Sequence, residues 1–287
     1  MNRREIHCPE HFGLKEMKLS LTGTTVAKVN DKSPSLLILK YALTGHEFVV
    51  PKMRHLRRKL EYEGVIGVNM GKNKFGEPLH DLPMGVKVFS PTANYLVVNI
   101  STPNAPNLQE LLREVHKARL LFDAEKQRPI FLKLSPDLSE NELKEIVKIA
   151  RMKEHKVDGF IISGASTERN LNLQSQNKHR TEFGGLSGKP LKERSNKMIE
   201  DVFKLTNGKA IIIGSGGIFS GKDAYEKILA GATAIEIYTS FMYYGPPIVN
   251  RIKRELNEIL LQNGYQNVKE AIGKGVAMKK TKFLFFW

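Results

Sequence analysis

Two segments in the last third of the chain combine residue types that can bind a phosphate group. Gly214–Gly217 follows an Ile-rich run directly, and Tyr238–Thr239 follows the next apolar run. Glycines let backbone N–H groups approach an anion closely, and a helix beginning after the loop adds the positive end of its dipole. Taken alone, the glycine cluster is equally typical of a tight turn. The second loop, in register with the first, favours a phosphate site.

A lysine and two asparagines stand at the ends of other apolar runs. Lys133 interrupts the run Phe131–Leu134. An unpaired buried lysine is costly, so we expect its amine to face an anion or an electron-rich ring. The alternative is a buried stem with the amine at the rim. Asn69 and Asn99 each end a Val-containing run, and because asparagine is unfavourable in strands, both amides are expected to contact a ligand.

The segments that carry these residues alternate between short strands and amphipathic helices. Apolar residues at a period of 3.6 predict the helices, for instance through Leu143, Val147 and Ala150. This alternation is typical of parallel strands joined by crossover helices. Six Val- and Ile-rich runs predict strands buried on both faces: Val65–Asn69, Tyr95–Ile100, Ile130–Leu134, Gly159–Ser163, Ala210–Gly214 and Ala234–Tyr238.

Polar residues follow nearly every predicted strand, which favours a barrel over an open sheet. No Gly-x-Gly-x-x-Gly motif follows the first strand, whereas a dinucleotide-binding sheet requires one there. A (β/α)8 barrel takes about 250 residues and binds phosphate through its last two loops. We predict an α/β fold with such a TIM-type barrel, incomplete because no first strand is recognisable. Lys18–Thr22 could be a further strand, and Thr25–Asn30 with Ser35–Tyr41 a small excursion covering the barrel.

The composition is that of a globular chain with a basic surface. Its 287 residues include 45 Lys and Arg against 30 Asp and Glu, for a formal net charge of +15. This charge favours anionic partners, although the spread of lysines along the chain is equally typical of general surface basicity. Nucleic acid is disfavoured because no recognised binding module is present. Cys8 is the only cysteine, which excludes a multi-cysteine metal site, and no metal is predicted.

The two ends of the chain carry no segment that predicts a membrane span. No apolar run approaches the ~18 residues that a spanning helix needs, and the first residues lack the apolar centre of a secretory signal. Residues 276–287 form a basic and aromatic tail that ends in Phe283–Trp287. This tail could make a peripheral membrane contact or dock on the core of the chain itself.

Several separated motifs, in the same order along the chain, resemble the class 2, quinone-linked dihydroorotate dehydrogenases. The likeness runs from about residue 53 to 273, with a fainter echo in residues 12–52. It rests on six stretches: Gly67–Lys74, Asn94–Asn104, Leu132–Leu138, Gly184–Leu191, Gly214–Gly217 and Tyr238–Pro247. The resemblance implies a (β/α)8 barrel that binds FMN at its C-terminal mouth and serves pyrimidine biosynthesis at the mitochondrial inner membrane.

The resemblance also implies roles for individual residues. Dihydroorotate would give a hydride to FMN while the hydroxyl of Thr102 removes a proton, and ubiquinone would then accept the electrons. Asn99 and Asn104 would contact the substrate. The residues standing where the family holds the flavin are Asn69, Asn99, Lys133, Ser163, Gly188, Gly216, Gly217, Tyr238 and Thr239.

Parts of the family's substrate site are altered in this sequence. The family's catalytic serine corresponds to Thr102, whose methyl group crowds the site. The Thr-Asn-Thr segment that grips orotate in the family reads Ser163-Gly164-Ala165, which lacks the amide and a hydroxyl. A family asparagine corresponds to Thr44, and the family's first strand and N-terminal membrane helices have no recognisable counterpart.

These departures leave two functions open. The chain is either a flavoprotein oxidoreductase with impaired dihydroorotate oxidation, or a non-catalytic descendant that acts as a binding or scaffold protein through its basic surface. In either case we expect three parts: a divergent N-terminal segment at 1–52 with a remnant of an early barrel strand, a barrel domain with the FMN-type site at 53–275, and the tail at 276–287. No oligomeric state is predicted.

Overall fold

Eight short strands form the centre of the molecule. The computed structural model describes residues 23–27, 36–42, 50–51, 53–55, 58, 64–71, 76–100, 107–155, 157–169, 173 and 184–277. The strands are β1 (Gly23–Ala27), β2 (Leu36–Ala42), β3 (Ile66–Gly71), β4 (Tyr95–Asn99), β5 (Ile130–Leu134), β6 (Gly159–Ile162), β7 (Ile211–Ser215) and β8 (Ala234–Ile237). Each strand pairs with the next, and β8 pairs with β1, so the sheet closes into a barrel.

The barrel is irregular at one strand. Strands β2 to β8 are parallel to one another, as in a (β/α)8 barrel. Strand β1 instead runs antiparallel to both its neighbours, with Gly23 opposite Leu39 and Thr25 opposite Ile237. The predicted barrel class is therefore confirmed. Among the described residues, β1 is the strand that closes the ring between β8 and β2.

Helices cover the outside of the barrel. They are α1 (Pro78–Phe89), α2 (Leu108–Phe122), α3 (Glu140–Ala150), α4 (Lys192–Leu205), α5 (Gly221–Leu229), α6 (Thr239–Tyr244), α7 (Pro247–Gln262) and α8 (Val268–Ala271), with a 3-10 turn at Lys189–Leu191. Ser139 and Glu142 form a reciprocal capping box at the start of α3, and Ser220 caps α5 by accepting from the N–H of Asp223. Serine side chains at these positions stabilise the helices because they satisfy free N–H groups of the first turn.

Two layers of apolar side chains hold these elements in place. One lies between the strands and the surrounding helices, and the other fills the barrel interior with Tyr95, Val97, Phe131, Ile161 and Ile213. The rings of Tyr95 and Phe131 meet edge to face, with centroids 5.4 Å apart. These side chains plug the end of the barrel where the parallel strands begin. Among the described side chains, polar groups reach the interior at the opposite end, where the parallel strands terminate.

One expectation for the N-terminal part of the chain is wrong, and others lie outside the described residues. The segments Thr25–Asn30 and Ser35–Tyr41 were expected to form an excursion over the barrel, but β1 and β2 are strands of the ring itself. Both strands precede residue 53, where the barrel domain was expected to begin. Lys18–Thr22 and residues 278–287 fall outside the described ranges. No helix in the described ranges is long and apolar enough to cross a bilayer.

Candidate functional site

A cavity opens at the end of the barrel where the parallel strands terminate. It has a volume of about 500 Å³. All nine residues that the sequence assigned to cofactor binding line it: Asn69, Asn99, Lys133, Ser163, Gly188, Gly216, Gly217, Tyr238 and Thr239. They come from six different strands or the loops that follow them, which meet only because the sheet is closed.

The floor of the cavity holds a buried ion pair. The amine of Lys133 on β5 lies 3.0 Å from a carboxylate oxygen of Glu236 on β8. The two residues are 9% and 2% exposed, so this pair lies in a medium that strengthens their attraction. The other carboxylate oxygen of Glu236 and the side-chain oxygen of Asn69 have no hydrogen-bond partner within the described structure. The floor therefore offers two acceptors to a ligand.

Tyr95 lies in the apolar layer below that floor. Burial raises the pKa of its hydroxyl well above the usual value of 10.0, and the negative charge of Glu236 raises it further. The hydroxyl oxygen has no partner within the described structure. Tyr95 therefore stays protonated and uncharged at physiological pH, and it supplies no positive charge to balance Glu236.

The glycine loop after β7 adopts a backbone that other residues resist. Gly216 and Gly217 have φ angles of +100° and +73°. A Cβ atom on Gly217 would lie 2.6 to 2.8 Å from Lys192, including backbone atoms, so only glycine fits there. The carbonyl of Ser215 accepts hydrogen bonds from the N–H of Ser163, at 3.1 Å, and from the hydroxyl of Ser195. The peptide bond between Ser215 and Gly216 is trans, so its C=O and N–H point in opposite directions. The N–H of Gly216 therefore points away from Ser163 and Ser195.

A second loop meets the end of β8 at the rim of the cavity. Gly188 has a φ of +94°, and a Cβ atom there would lie 3.0 Å from the Cγ2 atom of Thr239. The hydroxyl of Thr239 donates to the hydroxyl of Ser187 across this contact, at 3.1 Å. The two loops therefore close one side of the cavity together.

An aspartate holds the loop after β6 that leads to this rim. Asp137 accepts hydrogen bonds from the Ser166 hydroxyl and from the N–H and hydroxyl of Thr167, at 2.5, 2.7 and 2.8 Å. Ser166 in turn pairs with Leu186 through two backbone hydrogen bonds. The wall formed by Ser163, Gly164 and Ala165 is thereby fixed at both ends.

Sequence reasoning missed Glu236 and Ser187, which also line the cavity. A signal for Glu236 existed, because it interrupts the apolar run of β8 as Lys133 interrupts that of β5, and two opposite charges in such strands can pair. Thr102, expected as the base, and Asn104, expected at the substrate, lie in the stretch 101–106, outside the described residues. The structure therefore does not place them.

Comparison with known proteins decides the family. The family pattern described as dihydroorotate dehydrogenase matches residues 39–260, well over half of the chain. The chain belongs to the dihydroorotate dehydrogenase family. Among relatives, it is 42% identical over 253 residues to the mitochondrial dihydroorotate dehydrogenase (quinone) of Mus musculus, with 83% of this chain and 63% of that protein covered.

Other dihydroorotate dehydrogenases give the same result. The mitochondrial quinone-type protein of Arabidopsis thaliana is 42% identical over 73% of this chain and 48% of its own length. The protein of Parvibaculum lavamentivorans, a bacterium, is 38% identical over 81% of this chain and 66% of its own length. The chain thus spans about half to two thirds of these relatives. A crystal structure of the Eimeria tenella enzyme with ferulenol superposes with a TM-score of 0.69 at 37% identity, covering 79% of this chain and 68% of that one.

Proposed function

We propose that this chain binds FMN in the cavity and carries out the oxidation of dihydroorotate to orotate at a reduced rate. The observation that carries the proposal is the convergence of nine residues, assigned from the sequence alone, on one cavity of about 500 Å³. A binding site of this size suits a compact aromatic cofactor. The relatives' names supply the reaction.

The residues present fit FMN. The unpartnered oxygens of Asn69 and Glu236 can accept from the N–H edge of the ring system, and Lys133 supplies the one amine donor described on the floor. The loop at Gly216 and Gly217 suits the phosphate, because two consecutive glycines bring backbone N–H groups close to an anion. When bound, FMN supplies a ring that accepts a hydride.

The protein's own groups have three tasks in this reaction. Glu236 keeps the Lys133 amine at the floor, where its positive charge can stabilise negative charge that develops on a ligand. The apolar layer beneath excludes water from below. Thr102 is proposed from the family resemblance as the base that removes a proton from dihydroorotate while the hydride leaves the adjacent carbon, so that a carbon–carbon double bond forms.

The reduced rate is proposed from the wall after β6. Gly164 and Ala165 line the cavity without a hydrogen-bonding side chain, and Ser163 is the single hydroxyl of that segment. A site that loses hydrogen bonds to a polar substrate loses discrimination and transition-state stabilisation, at roughly 1–3 kcal/mol for each bond. Substrate turnover is therefore expected to fall more steeply than flavin binding.

Two measurements test the proposal in sequence. The purified chain should show a flavin absorption spectrum, or acquire one with a stoichiometry near one when FMN is added. Dihydroorotate added without oxygen should then bleach the flavin slowly, and the double variant Gly164→Asn, Ala165→Thr should bleach it faster. A chain that takes up no FMN would overturn the proposal. Uptake of FMN without any bleaching in either protein would favour the non-catalytic binding protein.

The electron acceptor and the location are proposed from the relatives and from the family resemblance. We propose a quinone as acceptor, because the relatives from mouse, Arabidopsis and Parvibaculum are all named as quinone-type. We also propose the mitochondrial inner membrane from the family resemblance, with the tail at 276–287 as a peripheral contact. Fractionation of cells that produce the full chain, followed by a salt wash of the membranes, tests both the compartment and the type of contact.

A further inference from the structure

A lysine is buried behind the glycine loop and forms no salt bridge with any described residue. Lys227 on α5 is 0% exposed. Its amine donates to the hydroxyl of Ser195, at 3.0 Å, and to the side-chain oxygen of Asn196, at 2.9 Å, both on α4. Both partners are neutral, so two hydrogen bonds satisfy the amine while its charge stays uncompensated by contact. Such a cation is costly inside a protein.

The charged groups around Lys227 do not remove that cost. Asp223 and Glu226 on α5 are both in salt bridges with Lys192 of α4, at 2.8 and 2.7 Å. Glu193 of α4 acts on Lys227 only at longer range. Burial lowers the pKa of Lys227 from its usual 10.5 to about 7, with Lys192 lowering it and the three carboxylates raising it in part. The Lys227 amine is therefore close to half protonated at neutral pH.

Lys227 is connected to the glycine loop by a directional chain of hydrogen bonds. Its amine donates to the Ser195 hydroxyl, and that hydroxyl donates to the carbonyl of Ser215, directly before Gly216. The stem of Lys227 also packs against the end of β7, directly before the loop, since its Cδ atom would lie 3.2 Å from a Cβ atom on Gly214. The lysine charge and the N–H of Gly216 thus lie on opposite sides of the same short piece of backbone.

We propose that Lys227 is a positioning residue for the anion site at Gly216 and Gly217, and that binding of a phosphate monoester there is coupled to protonation of Lys227. Through Ser195 the lysine fixes the peptide plane that presents the loop N–H, and its charge acts on the anion through the loop. The identity of the ligand as FMN rests on the proposed function, whereas the coupling concerns any phosphate monoester in this loop.

The coupling has a defined sign. A bound dianion favours the charged lysine and raises its pKa above the value in the free protein. Between these two pKa values the complex holds one more proton than the free protein, so affinity falls by up to about tenfold for each pH unit of increase. The phosphate itself does not titrate in this range, because its second pKa lies near 6.

The test compares FMN with riboflavin, which has the same ring system and no phosphate. Dissociation constants are measured on flavin-free protein between about pH 7 and pH 9 by quenching of flavin fluorescence. In the unmodified chain the affinity for FMN should fall by about tenfold or more over this range, whereas that for riboflavin should stay level. Lys227→Met should bind FMN more weakly near pH 7 and show no such slope.

Lys222→Met is the matched control, since Lys222 carries the same charge on the same helix at an exposed position. It should retain the slope of the unmodified chain. Proton uptake on binding, measured by calorimetry in two buffers with different ionisation enthalpies, gives an answer that needs no variant. Riboflavin and FMN binding with equal pH profiles and no proton uptake would overturn the coupling. Failure of both ligands to bind would instead overturn the proposed FMN site.

Discussion

The amine of Lys133 lies 3.0 Å from the carboxylate of Glu236, although two strands, β6 and β7, lie between the strands that carry the two residues. The pair spans the interior and so ties β5 to β8 across the cavity floor. Sequence separation between the two residues exceeds 100 positions. No local pattern could have positioned these charges, and the closed sheet alone brings them together.

Replacing one partner of this pair should destabilise the protein more than replacing both partners. Lys133→Met leaves a buried carboxylate uncompensated and should lower the free energy of unfolding by about 3–5 kcal/mol. The double variant Lys133→Met, Glu236→Gln should recover part of that loss. Urea unfolding measures both. Lys197→Met breaks an exposed i,i+4 pair with Asp201 and serves as the control, with a change below about 1 kcal/mol. Equal losses in the single and double variants would argue against a coupled pair.

The glycine loop should tolerate no side chain at Gly217. Gly217→Ala places a Cβ atom within 2.8 Å of the backbone of Lys192, so the loop must move and FMN affinity should fall at least tenfold. Gly264→Ala is the matched control, because Gly264 has a similar φ of +78° and nothing within 4 Å of its Cβ position. In Gly264→Ala the free energy of unfolding should fall by only roughly 1–2 kcal/mol, the cost of a non-glycine residue in the left-handed conformation. This variant should bind FMN normally. Fluorescence titration and thermal unfolding separate the two effects.

Stability of the flavin-free protein should depend on pH through Lys227. Burial lowers the pKa of Lys227 to about 7 from the usual 10.5, so between these values the unfolded chain binds the extra proton. The contribution of this group to stability therefore rises with pH, by up to about 1.4 kcal/mol per pH unit. Lys227→Met should be more stable than the unmodified chain near pH 7, and this advantage should shrink towards pH 9. A difference that does not vary with pH would contradict the assignment.

The hydroxyl of Tyr95 should be dispensable for stability, in contrast to the glycine facing its ring. The hydroxyl is buried and has no hydrogen-bond partner among the described residues, so Tyr95→Phe should leave the free energy of unfolding unchanged or raise it by about 1 kcal/mol. Gly67→Ala would place a Cβ atom 2.1 Å from the ring and should be strongly destabilising. Denaturant unfolding of the two variants checks both signs. A loss in Tyr95→Phe comparable to that in Gly67→Ala would indicate a hidden partner for the hydroxyl.

The sequence predicted the parallel part of the barrel well, because strands buried on both faces leave a clear apolar signal. The strand predicted at Ile130–Leu134, for example, is β5 with the same bounds. The two N-terminal strands were missed because Gly23–Ala27 contains two threonines and a glycine, and its pairing depends on Ile235–Ile237 at the far end of the chain. Tertiary contacts of this kind override local propensity.

The residues that line the cavity were predicted more completely than the buried residues that contact them from behind. Residues at strand ends, such as Asn69 and Thr239, must face the mouth of any barrel, so their convergence follows from topology. Lys227 gave no comparable signal. It lies in an amphipathic helix where a lysine normally faces solvent, and only the packing of α4 on α5 shows that it is buried.

The direction of β1 also determines where the chain enters the barrel. Gly23 pairs with Leu39 in the middle of β2, whereas Val26 pairs with Leu36 at its start. The chain therefore runs through β1 from the middle of the barrel towards the plugged end, the reverse of the direction of a strand in a regular barrel. The side of β1 that faces the cavity mouth is therefore its amino-terminal end at Gly23, so a change at this end of β1 acts nearer the ligand site than a change at Ala27.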